Sequence, residues 1–71
     1  MLTLNKIDFE YQHGVTLTDL VEYYNTISQK KVAFDGFVVI INEIPVTPEK
    51  ARETILSDHD KILMLPFLDG G

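Results

Sequence analysis

The sequence predicts an α+β domain in which a mixed sheet of four to five strands packs on one amphipathic helix, with a short second helix. Apolar residues first alternate with polar ones, then recur at three- and four-residue steps, and later form two strongly apolar runs. The predicted order is ββαββ(α)β. Two hairpins on either side of a helix, with a last strand long enough to return through the middle, give a sheet covered on one face.

The first predicted element is a hairpin that turns near Asn5-Lys6. Residues 2–4 and 7–11 alternate between apolar and polar side chains, which is the period of two expected for half-buried strands. Gly14 ends this pattern. Two strands are therefore expected before the main helix.

The main helix is predicted to begin at Thr16. Thr16 and Asp19 resemble a capping box, in which each side chain accepts a hydrogen bond from the other residue's backbone N–H. Apolar residues then follow a helical period, with polar residues on the other side. The expected apolar face consists of Leu17, Leu20, Val21, Tyr24 and either Ile27 or Ser28.

The second half of the chain begins with a polar loop, residues 28–36. The β-branched run 37–41 is predicted to be a central strand, and Asn42-Glu43 can turn it back into a short edge strand, 44–46, in which Pro45 lacks a backbone donor. Thr47 and Pro48 are typical of a helix start, and this short helix is expected to run to about Leu56. Turn residues 57–60 then precede a last strand, 61–67.

Composition excludes several classes of function. The net charge of −5 repels nucleic acid phosphates, and the absence of cysteine excludes disulfides, thiolate metal sites and a cysteine nucleophile. No apolar stretch is long enough to span a bilayer, and the N-terminal residues do not look like a targeting signal. We therefore expect a cytoplasmic protein that contacts neither nucleic acid nor membrane.

The two apolar runs indicate that both faces of the sheet are apolar. If Ile62 and Met64 face the helix, then alternate residues of the same strand face outward, together with alternate residues of strand 37–41. This would form a protein-binding surface, here called the outer apolar surface. Its expected members are Val38, Ile40, Leu63, Leu65 and Phe67. The alternative is that loop 28–36 or a neighbouring molecule covers this face.

Four features of the whole chain resemble the ThiS family of ubiquitin-like β-grasp sulfur carriers. They are the entry to the helix at 14–16, the hairpin at 40–46, the turn at 58–62 and the terminal Gly70-Gly71. The chain has Asn42-Glu43 where the family usually has Asn-Gly, and His59 where it usually has glycine. Glycine supplies positive φ at such turns, and His59 can adopt it at modest cost.

The resemblance implies one β-grasp domain, 1–71, with a flexible tail at about 67–71. The carboxylate of Gly71 would be adenylated by a ThiF-like enzyme that uses ATP and Mg²⁺, and sulfur from a cysteine desulfurase or another persulfide donor would convert it to a thiocarboxylate. A ThiG-like thiazole synthase would accept the sulfur in thiamin biosynthesis. The chain itself would bind no cofactor or metal and would be no enzyme. Asp69 either pairs with a basic residue at the mouth of the partner's channel or is a solvated acid.

The resemblance leaves three alternatives open. Residues 64–68 also resemble the ending of the small subunit of molybdopterin synthase, which would make a pterin the sulfur acceptor. A ubiquitin-like modifier would use the same activation but become attached to a target lysine through Gly71. A plain interaction domain would not need Gly70 and Gly71 at all.

Asp58-His59-Asp60 is interpreted as a turn and not as a metal site, because three consecutive residues seldom converge on one ion.

Overall fold

The computed structural model describes residues 1–67. Five strands form one sheet in the order β2-β1-β5-β3-β4, with β5 in the middle. Strand β5 is parallel to β1 and antiparallel to β3, which confirms the predicted mixed sheet with a central last strand. The elements are β1 (Leu2–Leu4), β2 (Ile7–Phe9), α1 (Leu17–Ile27), β3 (Phe37–Ile41), β4 (Ile44–Val46), α2 (Pro48–Glu53) and β5 (Lys61–Pro66).

Both hairpins turn through two residues with positive φ. The φ angles are 50° and 70° at Asn5 and Lys6, and 50° and 70° at Asn42 and Glu43. This left-handed pair matches the twist of antiparallel strands, and asparagine tolerates it better than most residues. The two predicted turns are confirmed.

The asparagine of each turn also binds the central strand. The amide of Asn5 donates to the Met64 carbonyl at 3.1 Å and accepts from the Met64 N–H at 2.8 Å. On the other side of β5, the side chain of Asn42 accepts from the Lys61 N–H at 2.9 Å. Each hairpin is thus connected to β5 by side-chain hydrogen bonds as well as by the backbone ladder.

Helix α1 begins with the predicted capping box. The Asp19 N–H donates to Thr16 Oγ1 at 3.1 Å, and the Thr16 N–H donates to Asp19 Oδ2 at 3.3 Å. The buried residues of the helix are Leu17, Leu20, Val21 and Tyr24, as expected. Ile27 is 54% exposed, so the suggestion that it extends the buried face is wrong.

The core lies between α1 and one face of the sheet. Inward-facing residues of the sheet are almost completely buried there, and β1, β3 and β5 all contribute to them. This burial is the main source of stability for a domain of this size. The sheet residues with 1% exposure or less are Leu2, Leu4, Val39, Ile62 and Met64.

Helix α2 starts as predicted but ends earlier. Thr47 caps it, accepting from the Lys50 N–H, but the helix stops at Glu53 rather than near Leu56. The chain beyond it pairs with the segment before α1: the Leu56 N–H donates to the Val15 carbonyl at 2.8 Å. Because these backbone groups form long-range bonds, they cannot also extend the helix.

The polar loop 28–36 packs inward at two apolar positions. Val32 is 6% exposed, and Asn25 of α1 holds it by two hydrogen bonds, one to its N–H and one to its carbonyl, both 2.8 Å. Phe34 is partly buried against the core, with the Arg52 guanidinium 5.4 Å from its ring centroid. The loop therefore contributes to the core on the helix side.

Within residues 1–67, no helix is both long and apolar enough to cross a membrane.

Candidate functional site

The register between β3 and β5 brings together the predicted members of the outer apolar surface. Val38 lies opposite Leu65, and Ile40 lies opposite Leu63. Directly opposed residues of an antiparallel pair point to the same side of the sheet, so these four side chains form one patch on the face away from α1.

The outer apolar surface is most exposed at the end of β5. Leu65 is 48% exposed and Phe67 is 62% exposed, whereas Val38, Ile40 and Leu63 are half-buried by their neighbours. Met64, between Leu63 and Leu65 in sequence, is buried in the core. The alternation expected from the strand period therefore holds along β5, although every one of these residues is apolar.

Loop 28–36 does not cover this end of the surface. Its apolar residue Val32 packs into the core, and Leu65 and Phe67 stay open to solvent. At the end of the loop, the Gly36 carbonyl accepts a hydrogen bond from the Phe67 N–H at 2.9 Å. Gly36 has a φ of 81°, which glycine adopts without strain.

The predicted tail begins beside the outer apolar surface. The last pair of the β3–β5 ladder joins Phe37 and Pro66, and the next residue, Phe67, is bound to Gly36. The predicted tail residues Asp69, Gly70 and Gly71 lie outside the described residues. Any partner that receives residues 68–71 therefore has the exposed end of this surface next to it.

The opposite end of the same face adds charged side chains to apolar ones, which the strand pattern was not used to predict. A shallow concavity there is lined by the charged residues Lys6, Glu43 and Lys61 together with Thr3, Ile40, Ile62 and Leu63. Thr3 of β1 pairs with Lys61 of β5, and Lys61 lies two residues before Leu63 on β5. The period of two, applied to β5, was the signal that would have placed Lys61 on the outer face.

The turn at residues 58–60 uses its carboxylates for local hydrogen bonds. Asp58 Oδ1 accepts from the His59 N–H at 2.9 Å, and Asp60 Oδ2 accepts from the Ser57 N–H at 2.8 Å. His59 has a φ of 73°, as expected for the position where the family usually has glycine. The α-amino group of Met1 also donates to Asp58 and lowers the pKa of that carboxyl. The interpretation of this segment as a turn is confirmed.

Across residues 1–67, no group of three or more histidine, cysteine, aspartate or glutamate side chains is placed to hold a metal ion. The described residues do present an apolar patch on the outer face, which is most exposed at Leu65 and Phe67.

Comparison with known proteins identifies the family of the chain. A family model described as the ThiS family matches residues 2–71, which is nearly the whole chain. Searches among curated proteins and among solved structures found no significant match. The sheet order, the main helix and the short second helix are those of a β-grasp-like fold. The chain therefore belongs to the ThiS family, whose members are non-catalytic sulfur carriers.

Proposed function

We propose that the chain carries sulfur as a thiocarboxylate on Gly71 and delivers it for thiazole formation in thiamin biosynthesis. Membership of the ThiS family and the Gly70-Gly71 ending support this role. The structural observation that carries it is the position of the outer apolar surface, whose most exposed residues, Leu65 and Phe67, directly precede residues 68–71.

Sulfur loading on Gly71 requires activation of its carboxylate. A carboxylate oxygen attacks the α-phosphorus of ATP and displaces pyrophosphate, which gives an acyl-adenylate. A persulfide sulfur then attacks the acyl carbon, AMP leaves, and an acyl disulfide forms. A thiol next attacks the donor's sulfur, so that the S–S bond breaks, a disulfide forms on the donor and the thiocarboxylate leaves. The partner enzymes and Mg²⁺ supply this chemistry, and the chain supplies the carboxylate.

The outer apolar surface would hold the chain on the E1-like activating enzyme. Leu65 and Phe67 each expose roughly half of their side chain, so burying that area is worth about 1 kcal/mol or more per residue. Glycine at positions 70 and 71 keeps the tail free of β-carbons, which suits an extended chain entering a narrow channel. Asp69 would lie at the entrance to that channel, facing a basic residue of the enzyme.

The family implies an activating partner of the E1 type, and we assign three specific partners within the proposal. They are a ThiF-like adenylating enzyme, a cysteine desulfurase or another persulfide donor, and a ThiG-like thiazole synthase. Each would meet the same tail in turn.

Intact-mass measurement of the protein purified from its native host tests the loading of sulfur. A gain equal to the difference between sulfur and oxygen, lost when Gly71 is deleted, supports the carrier role. Covalent adducts with other proteins would instead support a modifier, and an unmodified chain under all growth conditions would contradict the proposal. Native expression is needed because a foreign host overproducing the chain can lack matching partner enzymes.

A second experiment separates docking from activation. Deleting Gly71 should abolish ATP–pyrophosphate exchange by the adenylating enzyme while the urea midpoint of the carrier stays unchanged. Leu65→Asp should weaken binding to that enzyme by at least about tenfold, because a charge would be placed in an apolar contact. Ile55→Asp is the matched control, since Ile55 is 68% exposed and lies outside the sheet. Equal binding by the Leu65 and Ile55 variants would refute the assigned surface.

The sulfur acceptor needs a separate assay. Reconstitution with a thiazole synthase and with a molybdopterin synthase large subunit would compare the two acceptors directly. Transfer to the pterin precursor alone would replace the thiamin assignment by the molybdopterin one.

A further inference from the structure

Both hairpin turns carry a charged residue at the position where glycine fits best. Lys6 and Glu43 are the second residues of their turns, and each has a φ of 70°. Two-residue turns of this left-handed kind favour glycine there, because a β-carbon at positive φ is crowded by the backbone. The chain therefore holds backbone strain at two separate turns, and such strain tends to occur where a side chain has a function.

The two strained residues line the same concavity on the outer face. The sheet order places the β1–β2 turn on one side of β5 and the β3–β4 turn on the other. Lys6 and Glu43 therefore approach the concavity from opposite sides, and Lys61 of β5 lies between the two turns. Both turns are fixed to β5 by the side-chain hydrogen bonds of Asn5 and Asn42.

The charges of the concavity are separated by sign. Lys6 and Lys61 are cationic, whereas Glu43 on the side of the β3–β4 turn is anionic. Asp8 also lies on the outer face, opposite Thr3, but it is not part of this lining. Within residues 1–67, the salt bridges involve other groups, so these three charged side chains are open to a partner.

This charged concavity lies far from the start of the tail. Lys61 begins β5 and Phe67 follows its end, so a rise of about 3.3 Å per residue puts them about 20 Å apart. Burial of apolar area at Leu65 and Phe67 is non-directional and leaves the orientation of the carrier open. Complementary charges at the other end of the strand would fix that orientation, and with it the direction in which the tail leaves.

We propose that Lys6 and Glu43 determine the orientation in which the carrier binds its E1-like activating enzyme and select that enzyme. The enzyme would place an acidic side chain against Lys6 and Lys61 and a basic one against Glu43, while Leu65 makes the apolar contact. This inference rests on the proposed function, because it concerns the same activating partner. The two turn residues act on binding alone, since they lie at the far end of β5 from the start of the tail.

ATP–pyrophosphate exchange by the ThiF-like enzyme of the native host, measured against carrier concentration, tests the proposal. Lys6→Gln and Glu43→Gln should each raise KM for the carrier at least about threefold, and Lys6→Glu and Glu43→Lys at least about tenfold, with kcat unchanged. These differences should largely disappear at about 0.5 M sodium chloride, because exposed charges are screened.

Matched controls come from helix α2, which contacts α1 on the other side of the sheet. Glu49→Gln and Lys50→Gln remove one exposed charge of each sign there and should leave KM unchanged. An equal rise of KM in these controls would mean that net charge, and not the position of the charges, governs binding, and would overturn the inference.

Glycine variants separate binding from folding. Lys6→Gly and Glu43→Gly relieve the strain at φ 70°, so the urea midpoint should rise while KM also rises at least about threefold. A purely structural role of the two residues would not move stability and affinity in opposite directions.

The outcomes distinguish this inference from the proposed function. Unchanged KM in all the Lys6 and Glu43 variants, or a fall in kcat without a rise in KM, would overturn the inference. If Leu65→Asp still weakens binding in the same assay, the proposed function stands. No exchange with the wild-type chain would overturn both.

Discussion

Adjacent residues of β5 should differ sharply in their effect on stability. Met64 is 1% exposed and packs in the core, whereas Leu65 is 48% exposed on the outer face. Met64→Ala should lower the free energy of unfolding by about 3 kcal/mol, because it removes buried methylene and sulfur atoms and leaves a cavity. Leu65→Ala should lower it by less than about 1 kcal/mol, since much of this side chain is already in water.

The loss expected for Met64→Ala is a large fraction of the unfolding free energy of the whole domain. A chain of 71 residues is expected to unfold with a free energy of about 4 to 10 kcal/mol. With a urea dependence of about 1 kcal/mol per molar for so small a domain, Met64→Ala should lower the midpoint by about 3 M, and Leu65→Ala by less than about 1 M. Far-ultraviolet circular dichroism during urea titration measures both midpoints.

Comparing Met64→Ala with Leu65→Ala also tests whether the outer apolar surface is exposed in solution. If Leu65→Ala loses as much stability as Met64→Ala, Leu65 is a core residue in solution and cannot serve as a docking residue. The same experiment on Phe67→Ala, with Phe67 62% exposed, should follow Leu65 rather than Met64. Equal slopes of the unfolding transitions are required for the comparison to hold, because a changed slope signals a changed native or denatured state.

Three further changes concern the turns and the helix cap. Glu43→Gly should raise the unfolding free energy by about 0.5 kcal/mol, because Glu43 has a φ of 70° that glycine adopts without steric cost; a lower thermal midpoint would contradict this. Asn5→Ala should lower it by about 2 kcal/mol through loss of two hydrogen bonds to Met64, and amide exchange at Met64 should accelerate. Thr16→Ala should lower it by about 1 kcal/mol, while Thr16→Asp should restore most of the loss in the same urea titration.

The order of elements could be predicted because each has a local signal. The turns at Asn5 and Asn42, the cap at Thr16 and the proline at position 48 all act through their own neighbours. The inward and outward faces of β5 followed from the period of two once Ile62 and Met64 were assigned to the core. Local chemistry therefore accounts for the architecture and for the placement of the outer apolar surface.

The sequence did not predict features that depend on contacts between residues far apart in the chain. The end of α2 was placed near Leu56, but backbone bonds from the segment before α1 stop the helix at Glu53. The burial of Val32 depends on Asn25, a polar residue of α1 that hydrogen-bonds both backbone groups of Val32. In each case the deciding partner is brought close only by the folded chain, and no local pattern encodes it.

The contact between Phe9 and Tyr23 was missed for a related reason. Phe9 lies in the alternating segment 7–11 and Tyr23 in the predicted main helix, but the edge-to-face contact of their rings depends on how α1 crosses the sheet.

Pro45 has a further consequence for the behaviour of the protein at high concentration. A fibril that grows by edge-to-edge pairing of native sheets needs two sheet edges on every molecule that can accept a strand. Each added molecule must leave one such edge unpaired for the next molecule. In the sheet formed by residues 1–67, Pro45 stands on one of the two edge strands, β4, so two molecules that pair through their β2 strands use the one edge of each sheet that has no proline. Self-assembly by this route therefore ends at a pair.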